Sequence, residues 1–277
     1  MSDGVDMTKI FVLLLSISLT SCALFSKDPT EQRKADIYFS QGTQNLISGN
    51  YTEALNSLLK ADELKKNDSD ILNNLAMAYY FKDRSNIALR TLARSLKLNP
   101  KNSDARNNLA TILMQNGKTE KAKAQYKKVL DDLVYKKTFR VYYNLGLISL
   151  KENKKAQAKE YFAKSVGHRD DYCAAHFQLA LLHEEDTSYA NALKHYEKSA
   201  RNNCKDYSLP YIHMARINLK LGKEYRAKDH LLKVVNEYPH HQRNYSTAKS
   251  LLGKIDKKNR IQSRINKSST KFKSENF

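Results

Sequence analysis

Small residues recur along this chain at a nearly constant interval, and that period decides most of what the chain can fold into. Gly42, Ala76, Ala110, Gly146, Ala180 and Ala215 follow one another at separations of 34, 34, 36, 34 and 35 residues. A second small residue stands twelve positions after each of them: Ala54, Ala88, Ala122, Ala158, Ala192 and Ala227. Four positions further comes a large one: Leu58, Leu92, Tyr126, Phe162, Tyr196 and Leu231. A large side chain also precedes the first small residue at Leu75, Leu109, Leu145, Leu179 and Met214, whereas the first unit has Gln41. Small and large residues alternating at helical spacings let two antiparallel helices approach closely and let each pair stack on the next. Gly49-Asn50, Gly117-Lys118, Asn153-Lys154 and Gly222-Lys223 fall where each pair must reverse direction. Pro100 and Pro239 fall where a second helix must stop.

A period of this length is that of the tetratricopeptide repeat (TPR). The expected fold is all-α: a right-handed TPR superhelix of about six helix-turn-helix repeats over residues 35–240. A capping helix over 241–256 is expected to cover the apolar face of the last repeat. Residues 257–277 are basic, rich in Ser and Asn and poor in large apolar side chains, and are expected to form a disordered tail.

The one strongly apolar run, Ile10 to Leu19, is preceded by Lys9 and is too short to span a bilayer as a permanent helix. It has the charge and length of a signal-peptide core, with Met7 opening the tighter version of the segment. Leu19-Thr20-Ser21-Cys22 resembles the lipobox of bacterial lipoproteins, in which a cysteine is acylated and becomes the first mature residue. An ordinary signal peptide with an incidental Cys22 is the weaker reading. Residues 1–21 are therefore expected to be a lipoprotein signal peptide and 22–34 a lipidated tether. Ala23, standing where an Asp would retain an enterobacterial lipoprotein in the inner membrane, implies an outer-membrane anchor facing the periplasm.

No phosphate-cradling glycine loop, nucleophile elbow or paired-cysteine zinc spacing occurs, so no enzyme, cofactor or metal is expected. Cys173, His176 and His183 share one helix and could present three ligands, but packing is the plainer reading. Cys173 and Cys204 stand at the start of the first and the end of the second helix of one repeat, which are neighbours in an antiparallel hairpin. A disulfide and two free thiols are both open on sequence alone. Without residues 1–21 the chain keeps 47 basic and 27 acidic residues, a net charge of +20. For an exported chain this points away from nucleic acid and toward anionic lipid or acidic protein, with the helix faces bearing Lys121, Lys123, Lys127 and Lys128 read as solvated.

Stacked first helices offer a recurrent surface for a protein partner rather than for a small-molecule substrate. Asn74, Asn108 and Asn144 take the same position in three successive repeats, suited to holding a ligand backbone. Tyr80, Phe81, Tyr143 and Leu147 lie near them as candidate walls of apolar pockets. Convex faces and loops remain alternatives.

Two blocks in the fourth repeat narrow the field: Tyr143-Asn144-Leu145-Gly146-Leu147-Ile148-Ser149-Leu150 and Ala156-Gln157-Ala158-Lys159-Glu160-Tyr161-Phe162-Ala163-Lys164-Ser165. Both closely resemble the type IV pilus biogenesis TPR lipoproteins of the PilF/PilW type. The lengthened connection from Asp131 to Arg140 and the lipobox extend the resemblance over roughly residues 19–240. The resemblance implies a non-catalytic outer-membrane pilotin that brings the pilus secretin to its membrane or helps it form a ring. The basic segment beyond Lys257 and the Cys173/Cys204 pair depart from that pattern. A general TPR adaptor lipoprotein serving peptidoglycan-processing enzymes is the alternative.

Overall fold

The computed structural model describes residues 29–201, 204 and 207–274, with side chains described as far as residue 266. The signal segment, Cys22 and the start of the tether lie outside the described residues. Among the described residues there are thirteen helices and no strand. Six consecutive pairs run α1 (Pro29–Ile47) with α2 (Tyr51–Leu64), α3 (Ser69–Phe81) with α4 (Ser85–Leu98), and α5 (Ser103–Gln115) with α6 (Thr119–Leu130). They continue with α7 (Thr138–Lys151) and α8 (Lys155–His168), α9 (Cys173–Glu185) and α10 (Tyr189–Ser199), and α11 (Leu209–Lys220) and α12 (Glu224–Glu237). A long single helix, α13 (Gln242–Ser274), follows. Two compact units divide the chain, residues 1–128 and 129–277.

Each pair closes through the residues that set the period. Gly42 and Gly146 are buried, and the other four members of the first small set have no solvent exposure. All six alanines of the second set, and the six large residues after them, are also fully buried. Contact is closest at the two glycines. A Cβ on Gly146 would stand 2.5 Å from Cε1 of Phe162, and one on Gly42 would stand 2.5 Å from Cγ of Leu58. Glycine is thus required at these two positions by the ring or branch that occupies the space of its missing side chain.

The reversals share one device. Gly49, Asp83, Gly117, Asn153, Thr187 and Gly222 all take positive φ, between 58° and 79°. In each case the following N–H reaches back to the carbonyl five residues before it, as in Asn50 to Asn45 at 2.9 Å and Ser188 to His183 at 2.8 Å. This is the Schellman closure of a helix end. Sequence reading found the turns with Gly or Asn and missed Asp83 and Thr187, which the same register would have located. Thr187 is the costly member, because a β-branched residue is strained in the left-handed region.

Hydroxyls and amides stitch the remaining joints. Ser95 and Ser165, both fully buried, donate to the carbonyls of Ser69 and Phe139 at 2.7 Å, tying the end of a second helix to the start of its partner. Asn102 Nδ2 donates to Ser69 Oγ at 2.8 Å and to Asp70 Oδ1 at 2.9 Å, while its Oδ1 caps α5 at Ala105 N–H. The last repeat repeats this seat. Ser208 has the register of Ser69, and its Oγ meets His241 Nδ1 at 2.6 Å and Asn244 Nδ2 at 2.8 Å. With Ala248 and Ile255 buried against α11 and α12, α13 begins like the first helix of a further repeat.

Two expected boundaries move. Pro29 opens α1, since a proline fits the first helical turn where its missing N–H costs nothing, so the tether gives way to helix before residue 35. The tail expected to be disordered from residue 257 continues α13 without a break as far as Ser274. Between Gly253 and Ser274 no Pro or Gly interrupts the chain, and a helix already nucleated by packing propagates at little cost.

Replacing Gly146 by Ala tests the close approach. Helix propensity alone would stabilise an alanine there by about 1 kcal/mol. The contact with the buried Phe162 ring reverses the sign, with an expected loss of about 1–3 kcal/mol in denaturant unfolding.

Candidate partner-binding surfaces

In the first unit the expected asparagines are joined to one another. Asn74 Nδ2 donates to Thr43 Oγ1 of α1 at 2.8 Å, Asn73 Nδ2 donates to Asn74 Oδ1 at 3.1 Å, and Asn108 Nδ2 of α5 donates to Asn73 Oδ1 at 2.8 Å. Three first helices are thereby tied by a chain of amides, with Asn73 buried inside it. Asn74 and Asn108 spend these groups on neighbouring helices, which aligns the repeats and leaves a ligand only their remaining capacity. Phe81, 42% exposed, stacks on Tyr51 with ring centroids 4.5 Å apart and touches Tyr80 at 5.4 Å. Tyr80 is half-buried against the core around Ala76 and Leu92. Phe81 and Tyr51 thus form an aromatic step at the turn end of α3, away from the amides in sequence by seven residues of helix.

The second unit puts aromatic rings where the first has asparagines. Tyr143 and Phe177 stand three residues before Gly146 and Ala180, the register of Asn73 and Asn107. Tyr143 packs on Phe162 at 5.7 Å and edge-on to Tyr172 at 5.4 Å, and burial raises its phenol pKa. Leu147 is half-buried in the same cluster with Leu179 and Leu182, so it serves the core more than a pocket. Asn144 is half-buried on α7 between Tyr143 and Leu145. Tyr207, 42% exposed, lies edge-on over Phe177 at 5.3 Å. Tyr172, Phe177 and Tyr207 went unnoticed in the sequence, although shared register with Tyr143 pointed to Phe177.

Cys173 and Cys204 flank this aromatic set and are joined as a disulfide with their Cα atoms 5.8 Å apart. The bridge fastens the start of α9 to the segment that leads from Cys204 to Tyr207, whose N–H donates to the Cys204 carbonyl at 3.1 Å. Cys173, His176 and His183, which share α9, go to separate contacts, and among the described residues no three His, Cys, Asp or Glu side chains are grouped to hold an ion. Instead His176 meets His195. His176 Nε2 donates to the Asp170 carbonyl at 2.7 Å, which leaves Nδ1 to accept from His195 Nδ1 at 2.8 Å. His183 stacks on His195 with centroids 5.5 Å apart. Burial lowers the pKa of all three, that of His195 to about 4, and the neighbouring histidines and Lys194 and Lys198 push His195 the same way. Beside them Tyr196 Oη and His213 Nδ1 donate to Glu184 Oε2 at 2.6 and 2.9 Å. Burial opposes ionisation of Glu184, but these two bonds outweigh it and hold the carboxyl below its ordinary range.

Models of the tetratricopeptide repeat match residues 69–102, 91–124, 139–167 and 211–241. The chain is built of tetratricopeptide repeats. Type IV pilus proteins are among the TPR proteins it is similar to. It is 28% identical over 196 residues to the type IV pilus assembly protein PilF of Pseudomonas aeruginosa, covering 69% of this chain and 78% of that one. The structure of P. aeruginosa PilF superposes with a TM-score of 0.65 at 24% identity, over 80% of this chain and 99% of PilF. That of PilW, a type IV pilus biogenesis factor, gives 0.63 at 16% identity, over 79% and 98%. The TPR helices described here carry no span long and apolar enough to cross a membrane.

Two outcomes check the second TPR unit. Thiol counting on unreduced, denatured protein should leave Cys173 and Cys204 unreacted, so that Cys22 is the one cysteine that could be counted; Cys173→Ser should lower stability by about 2–4 kcal/mol. Unfolded imidazoles take a proton near pH 6.5, whereas folded His195 does so only near 4, so the unfolded state binds more protons in between. Stability present above pH 6.5 should therefore fall as the pH drops toward 4, seen as a decreasing urea midpoint, and His195→Gln should flatten the slope.

Proposed function

We propose that this chain is a non-catalytic TPR scaffold of type IV pilus biogenesis, anchored to the outer membrane by a lipid on Cys22 and facing the periplasm. There it assists the localisation or multimerisation of the pilus secretin. The similarity to PilF over 196 residues carries this reading. What supports a binding role is the surface of first helices, where chemistry varies from repeat to repeat over a constant frame. The amide ladder of Asn74, Asn73 and Asn108 keeps the first helices of one unit in register. The rings of Tyr143, Tyr172 and Tyr207, the last lying over the buried Phe177, offer the other unit apolar contact area with polar tips, the type of group that concentrates binding energy at interfaces. A partner segment with aromatic or branched anchors fits the second surface. Nothing in this scheme calls for a cofactor, a metal, a nucleic acid or a small-molecule substrate.

The decisive experiment compares outer membranes from cells with and without the gene, and with a Cys22→Ala allele. Heat- and detergent-resistant secretin multimers should be lost, or should appear in the inner membrane, in both mutants. Normal, correctly placed multimers and intact pili would remove the pilotin reading and leave an adaptor for peptidoglycan-processing enzymes.

A further inference from the structure

The part of α13 beyond Ile255 leaves the repeat stack. Ile255 is buried against α12, and the next turn is pinned by ion pairs from Lys228 to Asp256 at 2.7 Å and from Lys258 to Glu224. From residue 257 to residue 266 every side chain is exposed. Between Lys257 and Ser274 the sequence has seven basic residues and no acidic one. The two carboxylates nearest the base of this segment, Asp256 and Glu224, are already paired and held well below their ordinary pKa by Lys228 and Lys258. The positive charge farther along therefore has no counterpart within the segment.

Its arrangement on the helix is ordered. Ile261 and Ile265, four residues apart and 49% and 55% exposed, lie on one stripe, and Phe272 follows at the matching spacing in the sequence. By helical spacing Lys257 and Arg264 border that stripe on one side with Arg260 beyond them, Lys258 and Gln262 border it on the other, and Asn259, Ser263 and Asn266 occupy the opposite face. Exposed β-branched side chains set within a basic border are of no use to a helix that only has to stay in water. They match a surface that is both anionic and apolar just beneath its charge, which describes lipid headgroups over acyl chains. An acidic polypeptide would answer the charge and leave the isoleucines in water.

We infer that residues 257–274 form an amphipathic helix that binds anionic lipid, lying along a membrane with its basic border on the headgroups and Ile261 and Ile265 below them. Eighteen residues of helix give about 27 Å of contact at 1.5 Å per residue. This surface does not depend on the lipid at Cys22 or on the secretin reading, since it rests on α13 alone.

The test is co-sedimentation of the full chain carrying Cys22→Ser, so that no acyl chain contributes. Vesicles of phosphatidylcholine with 30% phosphatidylglycerol, roughly the anionic content that polybasic segments require, are compared with phosphatidylcholine alone, in low and high salt. Any insertion of the apolar run near the N-terminus is common to both vesicle types. The chain should prefer the anionic vesicles by tenfold or more at low salt and lose the preference at about 0.5 M salt. The triple variant Lys257→Gln, Arg260→Gln, Arg264→Gln, which leaves the Lys258 ion pair intact, should weaken anionic binding about tenfold or more. Ile261→Ser with Ile265→Ser should weaken it about tenfold with the charge unchanged. Equal binding to both vesicles, or indifference to either variant, would overturn the proposal. Binding of polyglutamate in place of vesicles would overturn it too and assign the helix to an acidic polypeptide. All five positions are exposed, and unchanged thermal melting of the variants confirms that their fold is intact.

Discussion

Everything in this molecule hangs on how closely two helices of a pair can approach. That approach is set where a residue with little or no side chain faces one large group: Gly42 under Leu58 and Gly146 under Phe162 at the extreme, alanine against leucine or tyrosine elsewhere. Because the large partner is fully buried in all six pairs, it cannot swing aside, and the interior loses dispersion contacts if the fit loosens. The Schellman turns, the serine ties of α4 and α8 and the amide ladder all presuppose that distance. They align helices that packing has already brought together.

This explains which features could be read from the residues alone. A packing rule that recurs is visible as a period, so the six pairs, their turns and the buried sets were legible. Asp83 and Thr187 were not obvious because their turns are enforced by the helices around them, against the local preference of Thr187 in particular. Asn74 and Asn108 were recognisable as equivalent positions, but their bonding to Thr43 and Asn73 depends on neighbours one repeat away. The cysteine pair was placed within reach by topology, while the 5.8 Å separation belongs to the folded loop. Composition misread the end of the chain. Scarcity of large apolar residues argues against a packed core, but α13 inherits its helical state from the turns packed on α12 and needs no core of its own.

The two units apply one frame to different surface chemistry. In α3 and α5, Asn73, Asn74 and Asn108 form a hydrogen-bonded rail, whereas Tyr143 and Phe177 in α7 and α9, at the register of Asn73, pack tilted or edge-on against neighbouring rings. Amides bonded along a rail leave a ligand fewer donors, whereas tyrosine rings present both apolar area and a polar tip. The Cys173–Cys204 bridge strengthens the contrast, since it holds the segment that carries Tyr207 and so limits the ordering that a bound segment would have to supply.

The seat at Ser208 has a consequence for how such a chain can change over generations. His241 and Asn244 occupy the place that Asn102 takes on Ser69, so α13 docks on the sixth pair as a further repeat would. A duplicated repeat inserted before residue 241 would find a compatible joint on both sides, and the terminal helix would move outward unchanged. The array is open to lengthening at that joint, while anything built onto α13 itself, such as its basic extension, travels with that helix whatever the number of repeats before it.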